Sequence, residues 1–494
     1  MQPSSERVFY RFLLALAILR LWVLPIRSSF WLDETGTYWV IKDGLANTFA
    51  RAMNWSGQSP LYYLVASLAH LVPGRTEVML RLPSLFAMIA AAWLLYKLAV
   101  RLFDAETGPF VVLVFACSEQ VAFAAADARP YALALLLLIA STWMLVRWLD
   151  SGRPLYGVGY ASLAALTVFA HVLLAIALAG HCIYAFYRSR GKSAVKPAAL
   201  LAAFIVVGLL SLPLFPQLLG FYRTRGTHAF AGAPNVGEFL AAIAPPLLFA
   251  PIGLSLLIGW LASRRSWLER GNKTAAPRES VILAASWALL PLAALYLFSL
   301  FTRSDLFLPR YFVSAAPGLA LLFGWGMRAA PAIPARPVAV AVLVICAGLS
   351  FGSSVHGDAD WAGAMAKVRA LTATGDTPVL MASGFLEATN PDTLTKPGFQ
   401  EVLFAPLALY PAGGKVIGLP IRLDDRSAPY LETIVETDLQ HRAHFLLVCE
   451  WQQKVTYELW LRGRLAPLGF RSESQGNFGD VGVFLFSRDA AAGQ

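Results

Sequence analysis

The sequence predicts a polytopic α-helical membrane protein with a small α/β domain at its C-terminal end, on three observations. Of 494 residues, 57% are hydrophobic and only 14% charged, against roughly 25% charged in soluble domains. Mean hydropathy is +0.58. Apolar runs near the roughly 18 residues that a spanning helix needs recur along the chain up to Phe351 and then stop. Together these exclude an ordinary soluble enzyme. The wealth of apolar residues and the 37 glycines without a period exclude a disordered or collagen-like chain. Three of the four cysteines (Cys117, Cys182, Cys346) lie inside apolar runs, which excludes a disulfide scaffold. The net charge of +10 reads as cationic loops facing an anionic membrane surface, so the bilayer and not nucleic acid is the expected partner.

The first span is predicted over 8–26. Arg7 and Arg11 precede it as they would a signal peptide, but Arg20 interrupts its core and no small-x-small cleavage site follows, so it reads as a retained anchor. Further spans fall at 82–102, 109–126, 130–149, 155–170, 172–187, 197–219, 238–262, 280–301, 312–330 and 337–352, about eleven in all. His171 divides one long run into two of them. The run 60–73, opened by Pro60, is too short to cross. Parity supports that choice. With 60–73 uncrossed and the N-terminus cytoplasmic, one side receives Lys97/Arg101, Arg147/Arg153, Arg188/Arg190/Lys192/Lys196, Arg264/Arg265/Arg270/Lys273/Arg278 and Arg328/Arg336. That is the positive-inside pattern. Residues 27–79 then form one external segment with interfacial helices, grouped with the transmembrane domain 1–352.

From Ser353 the composition changes. Residues 358–372 read as a helix, 377–381 as a strand, 453–463 as a helix, and His444–Val448 and Gly482–Phe486 as strands. By parity this domain, 353–494, lies outside, and its lone Cys449 is expected to be buried and inert. Gly324-Trp325-Gly326 lies inside a predicted span and follows no strand, so it is no dinucleotide loop. Asp424-Asp425 reads as a turn, and Asn54-Trp55-Ser56 and Asn272-Lys273-Thr274 are formal glycosylation acceptors.

Three constellations carry chemistry. Asp33-Glu34 follows the first span; adjacent carboxylates beside a bilayer are costly unless they act or cap. Asp33 either caps the helix running through Tyr38-Trp39-Val40 or serves as general base toward a hydroxyl, and the two roles are compatible. Asp127-Ala128-Arg129-Pro130-Tyr131 falls on the same predicted external face. There Asp127 and Arg129 form either an interfacial ion pair or a site in which Asp127 orients the acceptor and Arg129 binds an anion. Arg310-Tyr311, at the external start of a span, is either a snorkelling Arg beside a belt Tyr or a phosphate-binding pair. His171 sits at an external break as a helix-terminal hydrogen-bonding group or a ligand. His228 in the 220–237 loop is a weaker candidate of the same kind, and His181 reads as an interhelical hydrogen bond. No HExxH or cysteine-based metal spacing occurs.

These residues resemble the GT-C superfamily of membrane glycosyltransferases, and within it the family-39-type branch that includes protein O-mannosyltransferases, lipid A aminoarabinose transferases and bacterial lipopolysaccharide-core transferases. The resemblance rests on Asp33-Glu34-Thr35, Pro60-Leu61-Tyr62-Tyr63, Arg81-Leu82-Pro83-Ser84, Asp127–Tyr131, His171 and Arg310-Tyr311. Asp360-Trp361 and Gly375-Asp376 in the tail add to it. It implies transfer of a sugar from a polyprenyl-phosphate donor to a hydroxyl or similar acceptor on a glycolipid, polysaccharide or protein, with inversion, at the external face of a bacterial inner membrane. Residue by residue, Asp33 would be the base, with Glu34 and Asp127 the other acidic members. Arg129, Arg310 and Tyr311 would hold the donor phosphate, and Tyr62, Arg81, Tyr131 and His171 would bind substrate. A divalent metal enters only through this resemblance. Several relatives place an acidic and a basic residue, serving metal and phosphate, before the matching Pro; here Gly57-Gln58-Ser59 stands. The rival readings are a flippase or transporter of lipid-linked glycans and a homologue that binds a lipid-linked sugar without turnover. Against transport, no matched pair of broken helices marks two halves.

Overall fold

The computed structural model describes residues 3–54, 59–191, 193–223, 233–264, 276–303, 305–329, 335–351, 359–373, 377–396, 398–450 and 453–488. Gly57-Gln58, His228, Asn272-Lys273-Thr274 and Gly375-Asp376 lie outside them, as do two residues of the Asn54-Trp55-Ser56 triplet. The chain divides into two compact units, Met1–Ile26 with Phe49–Val355 and Arg27–Thr48 with His356–Gln494. The segment 27–48, grouped by sequence with the membrane helices, thus makes its contacts with the C-terminal part.

The first unit is helical, and every predicted span coincides with helix. Among the described residues, five helices are long and apolar enough to cross a membrane: Ser5–Arg27, Thr76–Leu102, Tyr131–Ser151, Pro197–Gly220 and Arg278–Thr302. Two bent pairs raise the number to seven, Thr107–Ala116 with Glu119–Ala125 at 69° and Val236–Ile243 with Pro246–Ser255 at 58°. This is a multi-pass membrane protein, but eleven full-length spans are not confirmed. The others are shorter: Pro154–Ala170, Leu178–Ser189, Ala316–Arg328 and Ala335–Ser350 have 17, 12, 13 and 16 residues. Two of them are cut short by tight 3₁₀ turns, Leu174–Ala177 and Pro309–Ser314, which hydropathy counts as part of the span. The run at 60–73 forms only the eleven-residue helix Pro60–His70, N-capped by Ser59, whose hydroxyl accepts from the Tyr62 amide at 3.2 Å.

Polar residues within the apolar runs have partners. Arg20, in a π-helical turn at Leu19–Val23, donates to the Phe351 carbonyl. Arg81 is fully buried and donates to the Ile26 carbonyl at 3.1 Å. At one end of the bundle a charge network ties four helices. Asp150 accepts from Arg101 at 2.7 Å and from Arg188 at 2.9 Å, and Arg188 also faces Glu279 at 3.9 Å. Close by in sequence, Arg328 pairs with Glu106 at 2.7 Å. Of the basic connectors that sequence parity assigned to one side, Arg101 and Arg188 thus meet on Asp150.

In the second unit a five-stranded sheet has the order β2-β1-β3-β5-β4, with β1 Val379–Ala382, β2 Val416–Leu419, β3 His444–Glu450, β4 Phe470–Phe478 and β5 Val481–Arg488. β1 runs parallel to β2 and β3, while β5 is antiparallel to β3 and β4. The predicted strands at 377–381, 444–448 and 482–486 and the helix at 453–463 are found, the last as Gln453–Leu465. The helix expected over 358–372 is Trp361–Thr372, capped by Asp360, whose carboxylate accepts from the Gly363 amide at 3.0 Å. Cys449 is buried and free.

Candidate active site

The candidate residues divide between the two units. In the second, Asp33 lies in the first turn of helix Leu32–Ile41. The cap differs from expectation: Trp31 is the N-cap residue, and Glu34, not Asp33, reaches back to accept from the Trp31 amide at 3.3 Å. The geometry decides this, because only the side chain at the third helical position reaches the N-cap amide. Glu34 is wholly buried, whereas Asp33 is half-buried. The helix is pinned within its unit. Trp39 Nε1 donates to Glu401 at 3.2 Å, the Phe30 amide donates to the Tyr410 hydroxyl at 3.2 Å, and the Ala362 amide donates to Ser29 Oγ at 3.3 Å. Two carboxyls unmarked in the sequence feel the Asp33 charge. Glu387 and Glu450 are both pushed upward, mainly by burial and in part by Asp33.

In the first unit, Arg129, Tyr131, His171 and Tyr311 line one cavity of about 90 Å³ together with Ser59, Gln217 and the apolar Val168–Ala170, Val172, Leu173, Leu214 and Leu218. Helix ends bring these residues together. Tyr131 opens helix Tyr131–Ser151, His171 terminates Pro154–Ala170, and Tyr311 sits in the 3₁₀ turn Pro309–Ser314. The His171 ring packs 5.0 Å from Tyr131 and 6.0 Å from Tyr311, centroid to centroid. Arg310 lies over the Tyr311 ring at 5.2 Å. Arg129 Nη1 donates to the Tyr63 hydroxyl at 3.3 Å, and the Tyr63 ring meets that of Tyr62, which is fully buried. Asp127 is fully buried in the turn between Glu119–Ala125 and Tyr131–Ser151.

Electrostatics fixes the state of His171. Burial first, then the charges of Arg129 and Arg310, push its pKa down to about 3, so the ring is neutral at physiological pH. Its Nδ1 is sealed from solvent without a hydrogen-bond partner among the described residues. Two guanidinium groups acting on one cavity favour an anion and oppose a cation, and no described group of three or more His, Cys, Asp or Glu could hold a metal ion. The residues here do not fit a metal centre. Arg81 keeps company with the backbone carbonyls that end the first span, and His181 hydrogen-bonds Thr142 Oγ1 at 2.8 Å, as expected of an interhelical contact. Sequence placed Ser59 and Tyr63 in named motifs without giving either a role, and it did not single out Glu387 or Glu450. The apolar run Phe445–Cys449 ending in a carboxyl was the one available signal, for Glu450.

A polytopic helical unit with a cavity at its helix ends, and a small α/β unit carrying an acidic helix, define the architecture of an integral-membrane protein. Its relatives give that class its particulars. Residues 57–215 match the dolichyl-phosphate-mannose-protein mannosyltransferase family. The structure of ArnT from Cupriavidus metallidurans bound to undecaprenyl phosphate is similar over 98% of both chains, at 15% identity and a TM-score of 0.55. The apo form of that protein gives 0.57 at 14% identity, over 97% of this chain and 98% of that one. An oligosaccharyltransferase from Archaeoglobus fulgidus, tethered to an acceptor peptide, is similar over 99% of this chain and 74% of its own, at 11% identity and 0.50. No curated protein matches by sequence. The GT-C resemblance read from the motifs is borne out in the fold.

Proposed function

We propose that the protein is an inverting glycosyltransferase of a bacterial inner membrane, moving a sugar from a polyprenyl-phosphate donor to a hydroxyl-type acceptor on an envelope glycolipid, polysaccharide or protein. The observation that carries this reading is the convergence of Arg129, Tyr311 and neutral His171 on one cavity from separate helix ends, with the Arg310 charge acting on that histidine. Such a cavity suits a phosphate whose lipid tail stays among the helices, and the bound undecaprenyl phosphate of ArnT agrees in kind. The domain 353–494 would then be extracytoplasmic.

In the proposed reaction Asp33 accepts the proton of the acceptor hydroxyl as its oxygen bonds to the anomeric carbon. The bond from that carbon to the donor phosphate oxygen breaks, and the phosphate leaves with the electron pair. Charge grows on the phosphate, where Arg129, Arg310 and the Tyr311 hydroxyl stabilise it; one such preorganised donor typically contributes about 2.7–4 kcal/mol to lowering the barrier. A positioned base contributes typically about 10²–10⁴-fold. Glu34 fixes the helix that carries Asp33, and Asp127 is assigned to orienting the acceptor. Tyr131 and His171 line the cavity on the donor side, and Tyr62 is assigned to supporting it through Tyr63. The test is mass spectrometry of envelope glycolipids, polysaccharides and glycoproteins from cells lacking the gene, complemented with wild type or Asp33→Asn. A glycan lost on deletion, restored by wild type and not by Asp33→Asn, is expected; normal restoration by the variant removes Asp33 as the base. A lipid-linked glycan accumulating without loss of transfer would indicate transport instead.

A further inference from the structure

The parallel strands β2, β1 and β3 stand in the order at which open α/β sheets carry a ligand crevice, outside the carboxyl ends of β1 and β3 where the strand order reverses. Here the chain's own groups occupy that edge. Gln453, which opens helix Gln453–Leu465, donates to the Ser383 carbonyl at 2.9 Å and to the Ile421 carbonyl at 3.0 Å, and accepts from the Glu450 amide at 3.3 Å. One side chain thus ties the ends of all three strands. Gly384 follows β1 at the same edge. A Cβ added there would stand 2.6 Å from Leu32 Cδ2, 3.3 Å from Leu32 Cδ1 and 3.0 Å from Glu450 Oε2. Gly384 is not among the glycines with positive φ, so the position requires glycine for space and not for backbone conformation. The space is taken by the side chain that precedes Asp33.

The contact continues along the helix. A Cβ at Gly36 would meet the Phe385 ring at 3.7 Å, and Leu32 and Gly36, four residues apart, share one face of Leu32–Ile41. Phe385 is itself held by Ser383, whose hydroxyl accepts from the Phe385 amide at 3.2 Å and donates to the Leu403 carbonyl at 2.8 Å. The hydrogen bonds of Phe30 to Tyr410 and of Trp39 to Glu401 hold the chain before and after this contact. Asp33, one position after Leu32, is turned about 100° from the packed face. A displacement of Leu32 therefore moves Asp33 directly.

We propose that Gly384 is a positioning residue for Asp33: its missing side chain is the seat of Leu32, and the crevice edge of the α/β sheet holds the helix that carries the base in place of a free ligand. The inference rests on the reading of Asp33 as base. The sequence hides it because a glycine after a short strand reads as an ordinary turn.

The test uses full-length protein carrying Gly384→Ala, Leu32→Val, or both. It reads envelope glycan by mass spectrometry, undecaprenyl phosphate affinity in bilayer discs, and hydrogen–deuterium exchange over residues 32–41. Gly384→Ala is expected to lower product at least about tenfold, since a misplacement of about 1 Å can cost about 10²-fold. Exchange over 32–41 should rise while undecaprenyl phosphate affinity holds within about twofold. Leu32→Val alone leaves a gap and should lower product several-fold. The double variant moves one carbon from the helix to the strand end, and should recover product to within about threefold of wild type with exchange restored. Phe385→Ala, which opens space instead of filling it, should also raise exchange and lower product. Wild-type product and exchange in both Gly384→Ala and Phe385→Ala, a double variant no better than Gly384→Ala, or undecaprenyl phosphate affinity falling in step with product overturns the proposal. If Asp33→Asn still transfers sugar, the base reading fails separately, and exchange over 32–41 still decides whether Gly384 seats the helix.

Discussion

At the scale of single residues, the cavity is governed by cations that hold a histidine neutral. His171 keeps its proton off because burial and two guanidinium charges oppose a third positive charge. Donor affinity, measured with undecaprenyl phosphate in bilayer discs, should therefore show no histidine inflection near pH 6.5, and His171→Gln should leave the shape of its pH profile unchanged. An inflection abolished by that substitution would mean that the imidazole titrates in the site. Arg129→Gln and Arg310→Gln should each lower turnover about 10²–10³-fold, and Lys should restore little because it lacks the planar fork. Turnover within a few-fold of wild type would place the phosphate elsewhere. These residues were legible in sequence because polar groups at the edges of apolar runs stand out. Glu387 and Glu450 were not, since one lies in an irregular loop and the other ends a strand. Their significance comes from burial near Asp33, which only folding creates.

At the scale of elements, glycine sets how closely the helices approach. A Cβ at Gly318 would stand 2.4 Å from the Ala288 amide nitrogen, and one at Gly324 would stand 2.6 Å from that of Val111. Helix Ala316–Arg328 thus touches the backbones of both Arg278–Thr302 and Thr107–Ala116, the small-residue packing that replaces hydrophobic drive inside a bilayer. Gly324, set aside as a dinucleotide motif, is a packing glycine. Gly318→Val and Gly324→Val should each lower thermal stability by several degrees in detergent, read by unfolding of the purified protein; unchanged midpoints would show that the contacts relax freely. Span positions were readable from hydropathy, but their lengths were not. Hydropathy does not register the 3₁₀ turns and bends that cut helices short at the cavity. In the tail, β1, β3 and β5 were visible as apolar runs. β2 has only four residues, and β4 (Phe470–Phe478) is largely polar and half-exposed at a sheet edge, so neither gave a signal.

At the scale of the whole membrane unit, its two chemistries lie at opposite ends of shared helices. Helix Tyr131–Ser151 carries Tyr131 in the cavity and Asp150 in the Arg101–Arg188 network. At 1.5 Å per residue the separation is about 28 Å, close to the roughly 30 Å hydrocarbon thickness of a bilayer. One helix thus reaches from the cavity to the basic end, and under the proposed topology the positive-inside rule would assign that basic end to the cytoplasm. In that topology the cavity would open toward the opposite interface, where the proposed lipid-phosphate sugar would present its head without import of a nucleotide sugar. In a variant with Cys117, Cys182, Cys346 and Cys449 replaced, Val172→Cys should react with a membrane-impermeant maleimide in intact spheroplasts. Ser151→Cys should react only after permeabilisation. Labelling of both from the same side would break the span Tyr131–Ser151 as drawn. Reversal of the two would put the cavity in the cytosol, where a nucleotide-sugar donor would be the better fit.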